Sequence, residues 1–277
     1  MGWSGLTRIF SPDYTTLQQG RALVRLSVII ITFNEAANIA ACIESASFAD
    51  EIIVVDSGST DETVLIAERL GAKVQVRSDW KGFGVQKNRA LDMVTMPWVL
   101  SLDADERVSD ELSAEIQSID ASRVGVAFSI PRLTQFCGEW INHCGWTPDR
   151  VVRIFQKGQA SFSEDLVHER VVCSGHSIEN LHGKLLHFSY PTPGHYWRKL
   201  EQYSQAWAEQ KYAQGYKTSM LRAFLSGLAA FTRSYFFRFG FLDGGMGFAV
   251  CSMQGQAAFG KYFALYCLNR KNVSSPV

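Results

Sequence analysis

Nothing in the 277-residue chain provides an uninterrupted apolar stretch of the roughly 18–20 residues that a membrane-spanning helix needs. Net charge is missing too: 27 Lys and Arg balance 27 Asp and Glu, which excludes nucleic acid as a bulk electrostatic partner. The six cysteines show no framework-like spacing, and "MGWSGLTRIF" lacks the basic segment, apolar run and small-residue cleavage site of a secretory signal. Reduced cysteines and a cytoplasmic chain are the expectation. Cys137, His143 and Cys144 raise the question of zinc, but their spacing fits no common zinc pattern and a fourth ligand is missing, so reduced core cysteines are expected instead.

What is present is alternation. From Leu26 to Leu102, β-branched runs ("LSVIII", "EIIVV", "AKVQV", "WVLSL") are separated by segments with helical spacing, such as Ile39, Cys42, Ile43 and Ala46. This pattern predicts an α/β fold with a mostly parallel sheet, whose ligands bind beyond the carboxyl ends of the strands. Ser59 and Glu62 read as a capping box for the second helix, and Gly71 as its stop. A dinucleotide fingerprint is absent, because the turn after the first strand, "TFNEAAN", contains no glycine. A P-loop lysine motif is absent as well.

Polar residues gather at the predicted strand ends, most densely in "SLDADE". Like charges this close need neutralisation, and Asp103 and Asp105 can share one face of an extended segment. A solvated turn would explain them, and so would a hard divalent cation completed by water and phosphate. Asp56 reads equally as a turn residue, and Lys87 and Asn88 as the polar face of a helix. Glu106 reads as a supporting or capping group.

In order, "TFNE", "DSGSTDET", "QKNRA" and "DADE" resemble the nucleotide-sugar-binding half of the family 2 glycosyltransferases, which have the GT-A fold. The resemblance implies that Thr32, Asn34 and Glu35 line the nucleotide pocket and that Asp56 contacts uracil. It implies that Lys87 and Asn88 flank the base and diphosphate. Asp103 would face the ribose and the metal, and Asp105 would bind the Mg2+ or Mn2+ that bridges the phosphates of a UDP-sugar.

Beyond Ser109 the alternation fades, and a strand followed by a loop holding Trp140 and Trp146 is expected. "RVVRIF" and "LVHERVV" read as strands around Glu164, Asp165, His168 and Glu169. An inverting transferase needs a carboxylate to take the acceptor's proton. Glu169 is the favoured base, Asp165 its competitor, and His168 a positioning or phosphate-side group. The "VHE" element is similar to one in lipopolysaccharide core β-1,4-glucosyltransferases. That likeness implies transfer of a hexose, by expectation glucose, to a glycolipid or saccharide acceptor. His182 and His187 are expected to be structural.

From Pro191 onward the chain becomes aromatic and basic. An amphipathic helix is expected, with Tyr196, Leu200, Tyr203 and Trp207 at helical spacing. Between Met220 and Leu268, aromatic bodies alternate with Arg222, Arg233 and Arg238, which suits a segment lying on the cytoplasmic membrane surface with Phe224, Phe231, Phe236 and Phe237 in the acyl boundary. Packing against the catalytic part, or a dimer contact, is the competing expectation. The expected division is an extension (1–24), a catalytic domain (25–190, with a nucleotide half 25–108 and an acceptor half 109–190) and a helical extension (191–277). Two rival functions stand beside the transferase: a phosphotransfer enzyme built on the "DAD" acids, and a silent nucleotide-binding membrane adaptor.

Overall fold

The computed structural model describes residues 24–163, 170–173, 175 and 177–271. The first half builds β1 (Leu26–Thr32), β2 (Glu51–Asp56), β3 (Lys73–Val76) and β4 (Trp98–Asp103), joined by α1 (Ile39–Ser45), α2 (Thr63–Arg69) and α3 (Phe83–Leu91). All seven residues of β1 are buried, which is why its sequence runs apolar without alternation. β1 pairs in parallel with β2 on one side and β4 on the other, and β3 adds beyond β2. The chain therefore reverses its direction of growth between β1 and β4, where the carboxyl ends of the strands open a crevice.

At the opposite ends of these strands one buried carboxylate ties the sheet together. Glu51 accepts hydrogen bonds from the Ser27 hydroxyl, from the Thr95 backbone N–H and hydroxyl, and from Lys73 Nζ at 2.7 Å.

The second half is more regular than the fading alternation suggests. β5 (Glu106–Val108) leads into α4 (Asp110–Gln117), a helix that the sequence reading does not anticipate. Its N-terminus is capped by the Ser109 hydroxyl, which accepts from the Leu112 N–H, and Leu112 and Ile116 bury its inner face. β6 (Val126–Phe136), β7 (Glu139–Trp140) and β8 (Asp149–Gln156) follow, with β8 antiparallel between β4 and β6. β9 (Ser161–Phe162) and β10 (Val171–Val172) form a small separate pair. Of "LVHERVV", residues 166–169 lie outside the described part, and only Val171–Val172 are strand. β11 (Ser177–Asn180) and β12 (Leu185–Tyr190) complete a mixed sheet ordered β3-β2-β1-β4-β8-β6-β12-β5 along its main path.

The capping box does not form. α2 begins at Thr63 without a side-chain cap, because the Ser59 hydroxyl is held by the Asp56 carboxylate and accepts the Asn34 N–H. Gly71 does end the helix, with φ +83°.

The C-terminal part contains α5 (Pro193–Ala213), α6 (Met220–Thr232), a π-helical turn over Arg233–Phe237, a 3-10 turn over Gly240–Asp243 and α7 (Gly244–Lys271). It packs on the sheet through a cluster that joins Phe136, Ile141 and Cys144 to Val250, Cys251 and Met253. Trp146 joins this cluster, and Trp140 meets Phe188 edge-on at 5.2 Å. Asp243 accepts from the backbone N–H of His143 at 2.8 Å and meets its Nδ1 at 2.8 Å, which pins the turn before α7 to the loop after β7. The cysteines at 137 and 144 are free thiols. Tyr203 of the helical stripe is 58% exposed and lines the crevice. Among the described residues no helix is long and apolar enough to cross a membrane.

Candidate active site

Two loops at the crevice are stitched together by the residue types of their motifs. Asn34 adopts φ +54° and its side-chain carbonyl accepts the Thr60 N–H at 2.8 Å. The Glu35 N–H donates to the Thr63 hydroxyl, and the Ala36 N–H donates to Asp61. Asp56 is fully buried and takes the N–H groups of Gly58 and Ser59 at 2.8 Å each. Gly58 has φ +96° and a Cβ there would lie 3.1 Å from Ser78 Cβ, so glycine alone suits the turn.

These loops frame a cleft of about 1170 Å³. Thr32, Glu35, Lys87, Asp103 and Asp105 line it, so the structure brings five of the expected residues together. Asn34, Asp56 and Asn88 are not among its lining residues. Asn88 uses both ends of its amide on the backbone of Phe162, at 2.9 Å each, and so fastens α3 to β9. Glu164, Asp165, His168 and Glu169 lie outside the described residues.

The two acids of the "DAD" stretch meet different partners. Asp103 is gripped by cations on both oxygens, Lys87 Nζ at 2.9 Å and Arg153 Nη2 at 2.7 Å. Burial opposes its charge, but Arg153 and Lys87 hold its carboxyl well below the usual carboxylate range. Arg153 is buried as well and donates to Glu106 at 2.6 Å, while Glu106 accepts the Asp103 N–H at 2.9 Å. Glu106 is thus the supporting group expected of it. Burial works against the Arg153 charge, yet Asp103 and Glu106 raise its proton affinity further.

Asp105 instead pairs with His187, whose Nε2 lies 3.3 Å from Oδ2. Burial pushes the Asp105 carboxyl up, but the His187 hydrogen bond and charge more than offset this and keep it below its ordinary value. On the far side of the ring, Nδ1 is 3.3 Å from the Thr134 hydroxyl. Both Asp105 and His187 line the cleft, where Lys199 and Tyr203 of α5 and the arginines at 132 and 150 join them. Burial raises the Glu35 carboxyl above its usual value, although the Asn38 amide donates to it at 2.8 Å.

His187, Arg153, Lys199 and Tyr203 are the cleft residues that sequence reasoning misses. They lie between 50 and 100 positions beyond Asp103 in the chain, and only the pairing of β8 beside β4 and of β12 beside β5 carries the first two into place. At the mouth, Trp80 and Phe83 meet edge-on at 4.9 Å and are both exposed, giving an apolar wall on which a ring can stack.

No group of three or more His, Cys, Asp or Glu able to hold a metal occurs among the described residues. Asp105 and His187 offer one carboxylate and one imidazole to the cleft, a partial set of the kind that Mg2+ or Mn2+ would complete with water and phosphate oxygens.

The profile described as "Glycosyl transferase family 2" matches residues 27–171. An uncharacterized glycosyltransferase of Rickettsia typhi is 36% identical over 236 residues, covering 81% of this chain and 80% of that protein. The lipopolysaccharide core biosynthesis glycosyltransferase LpsC of Rhizobium meliloti is 31% identical over 222 residues, covering 76% and 80%. Among solved structures, glucosyl-3-phosphoglycerate synthase of Mycobacterium tuberculosis in complex with Mn2+, UDP and glucosyl-3-phosphoglycerate is 27% identical, with a TM-score of 0.32 over 42% of this chain and 45% of that one.

Proposed function

The chain belongs to glycosyl transferase family 2, with the GT-A fold, and from that premise we propose that it moves a hexose from a UDP-sugar to a lipid-linked saccharide of the lipopolysaccharide core type. The observation that carries this reading is the meeting of Asp105 and His187 at one wall of the cleft, beside the cation-held Asp103. The core-type acceptor rests on the likeness to LpsC, and glucose on the "VHE" resemblance. The phosphotransfer alternative falls away with family membership.

In this reading Asp105 and His187 would hold a divalent ion, which would supply Lewis-acid stabilisation of the charge on the departing diphosphate. The Thr134 hydroxyl lies 3.3 Å from His187 Nδ1, a contact that steadies the ring plane with Nε2 turned toward Asp105. Asp103 stands beside them and keeps Lys87 and Arg153 in place. Lys199, near Glu35 and Asp105, adds positive charge to the donor side. Thr32, whose buried hydroxyl finds no partner among the described residues, and Glu35 border the nucleotide. Asn34, Asp56 and Asn88 shape the walls behind it, the uracil-side role of Asp56 being exerted from the turn it organises. Glu169, with Asp165 as the alternative, takes the proton from the acceptor hydroxyl. The chain works at the cytoplasmic face of the membrane that holds its acceptor.

A panel of nucleotide sugars, assayed with Mn2+ for slow hydrolysis in the absence of acceptor, tests the donor. UDP-glucose is expected to be cleaved fastest. Cleavage of a non-uridine donor alone would overturn the UDP assignment.

A further inference from the structure

α6 is apolar on both of its sides. Ala223 and Gly227 face α7, and the crossing is so close that a Cβ on Gly227 would sit 3.0 Å from the Gly255 carbonyl oxygen. The opposite side carries Leu221, Phe224 and Leu228 at helical spacing, all exposed, with Leu221 at 66%. A helix that is hydrophobic all round belongs in a buried or lipid environment. The stripe continues into the reversal that follows. Phe239 holds the left-handed φ of +54°, a strained conformation for a bulky residue, and the turn leaves Phe237 74% and Leu242 60% exposed. Phe231, half-buried, stacks on Tyr235, while Arg238 is exposed with its stem over Gly145.

Charge identifies the occupant of this bare surface. After Glu209 the chain carries eight Lys and Arg but a single acid, Asp243. That acid is nearly buried and already paired with His143. This leaves an excess of seven positive charges there and, since the whole chain balances at 27 each, seven negative ones on residues 1–209. Lys217, Arg222 and Arg233 are exposed beside the apolar stripe. A symmetric contact with a second copy would set the same basic side chains against each other, which disfavours a dimer on this face. We propose that the outer side of α6 and the Phe236–Leu242 reversal form the docking face for an anionic lipid bilayer, with the aromatic and leucine side chains entering the acyl boundary and the flanking cations meeting headgroup phosphates. This deepens the membrane-surface reading above and rests on it, but needs neither donor nor acceptor for its test.

The test is cosedimentation of the full chain with phosphatidylcholine vesicles, with and without a third of phosphatidylglycerol, at low and high salt. Binding is expected with the anionic vesicles and should weaken with salt. The pairs Leu221→Glu with Phe224→Glu, and Lys217→Glu with Arg233→Glu, should each reduce partitioning by about tenfold or more, while UDP binding and the thermal melt stay unchanged. If either pair unfolds the chain, Phe237→Ser replaces it, since that ring is the most exposed of the group. Wild type that ignores anionic vesicles, or variants that bind like wild type, would overturn the proposal. So would a concentration-dependent dimer that the variants dissolve, which would assign the face to a second copy. A chain that binds vesicles but not UDP would leave the docking face standing and remove the donor reading.

Discussion

Asp103 and Asp105 stand two residues apart, and the partners around each decide what it can do. Asp103 has Lys87 on one oxygen and Arg153 on the other, so its charge is already spent within the protein. Arg153 depends in turn on Glu106, which is fully buried. Removing one member of a buried charge group strands the rest, typically at a cost of about 3–5 kcal/mol. Glu106→Ala should therefore lower the melting temperature by roughly 6–20 °C in calorimetry, given about 2–4 °C per kcal/mol for a chain of this size. An unchanged melt would mean that Arg153 is held by Asp103 alone. For the acceptor side, Glu169→Gln should keep UDP affinity and lose about 10²–10⁴-fold in turnover. Steady-state kinetics of that variant beside Asp165→Asn decide between the two acids, and the role passes to Asp165 if only the second shows the loss.

Among the elements, Glu51 joins the starts of β1, β2 and β3 to the turn before β4. Burial opposes its ionisation, but the bonds from Lys73, Ser27 and Thr95 pull it from the ordinary 4.5 to about 2. A carboxyl depressed in the fold contributes stability that is fully present above its unfolded value and disappears as pH falls through the folded one. Melting temperature should thus drop between about pH 4.5 and 2, and Glu51→Gln should flatten that slope while lowering stability at neutral pH. Melts across this pH range check it, and an equally steep acid limb in the variant would show that other carboxylates carry it.

The same elements show what could be read from the chain. β1, β2 and β4 announce themselves because both their faces are buried, so apolar residues follow one another without a strict polar alternation. α4 escapes notice because only Leu112 and Ile116 bury its inner face, too few to establish a period. Ser59 and Glu62 have the capping-box spacing, yet a nearby Asp56 outcompetes the helix end for the hydroxyl. His187 has no motif around it; β12 must lie beside β5 before the imidazole reaches Asp105. The carboxylates of the site were legible because they cluster in sequence, and their cationic partners were not because they converge only in space.

At the scale of the whole molecule, charge is divided along the chain although its total is zero. The acidic excess lies with the catalytic part, and the basic excess lies with the helices around the exposed aromatic face. The helical part is also fastened to the sheet, through Asp243 on His143 and the cluster around Phe136 and Val250. Lys199 and Tyr203 of α5 reach the cleft directly. Cleft and exposed apolar face thus belong to one packed body, so docking of that face on a bilayer, as proposed, would hold the cleft at a fixed position relative to it. All of this depends on the cleft binding a uridine diphosphate through a metal at Asp105. Calorimetric titration of UDP into wild type and Asp105→Asn, with Mn2+ and with excess chelator, measures that directly. Wild type should bind with Mn2+ and lose about 100-fold in affinity on chelation, as the loss of the ion's charge stabilisation implies, and Asp105→Asn should bind as weakly with the metal as without it. Equal UDP affinity in all four titrations, or none in wild type with Mn2+, would contradict the assignment.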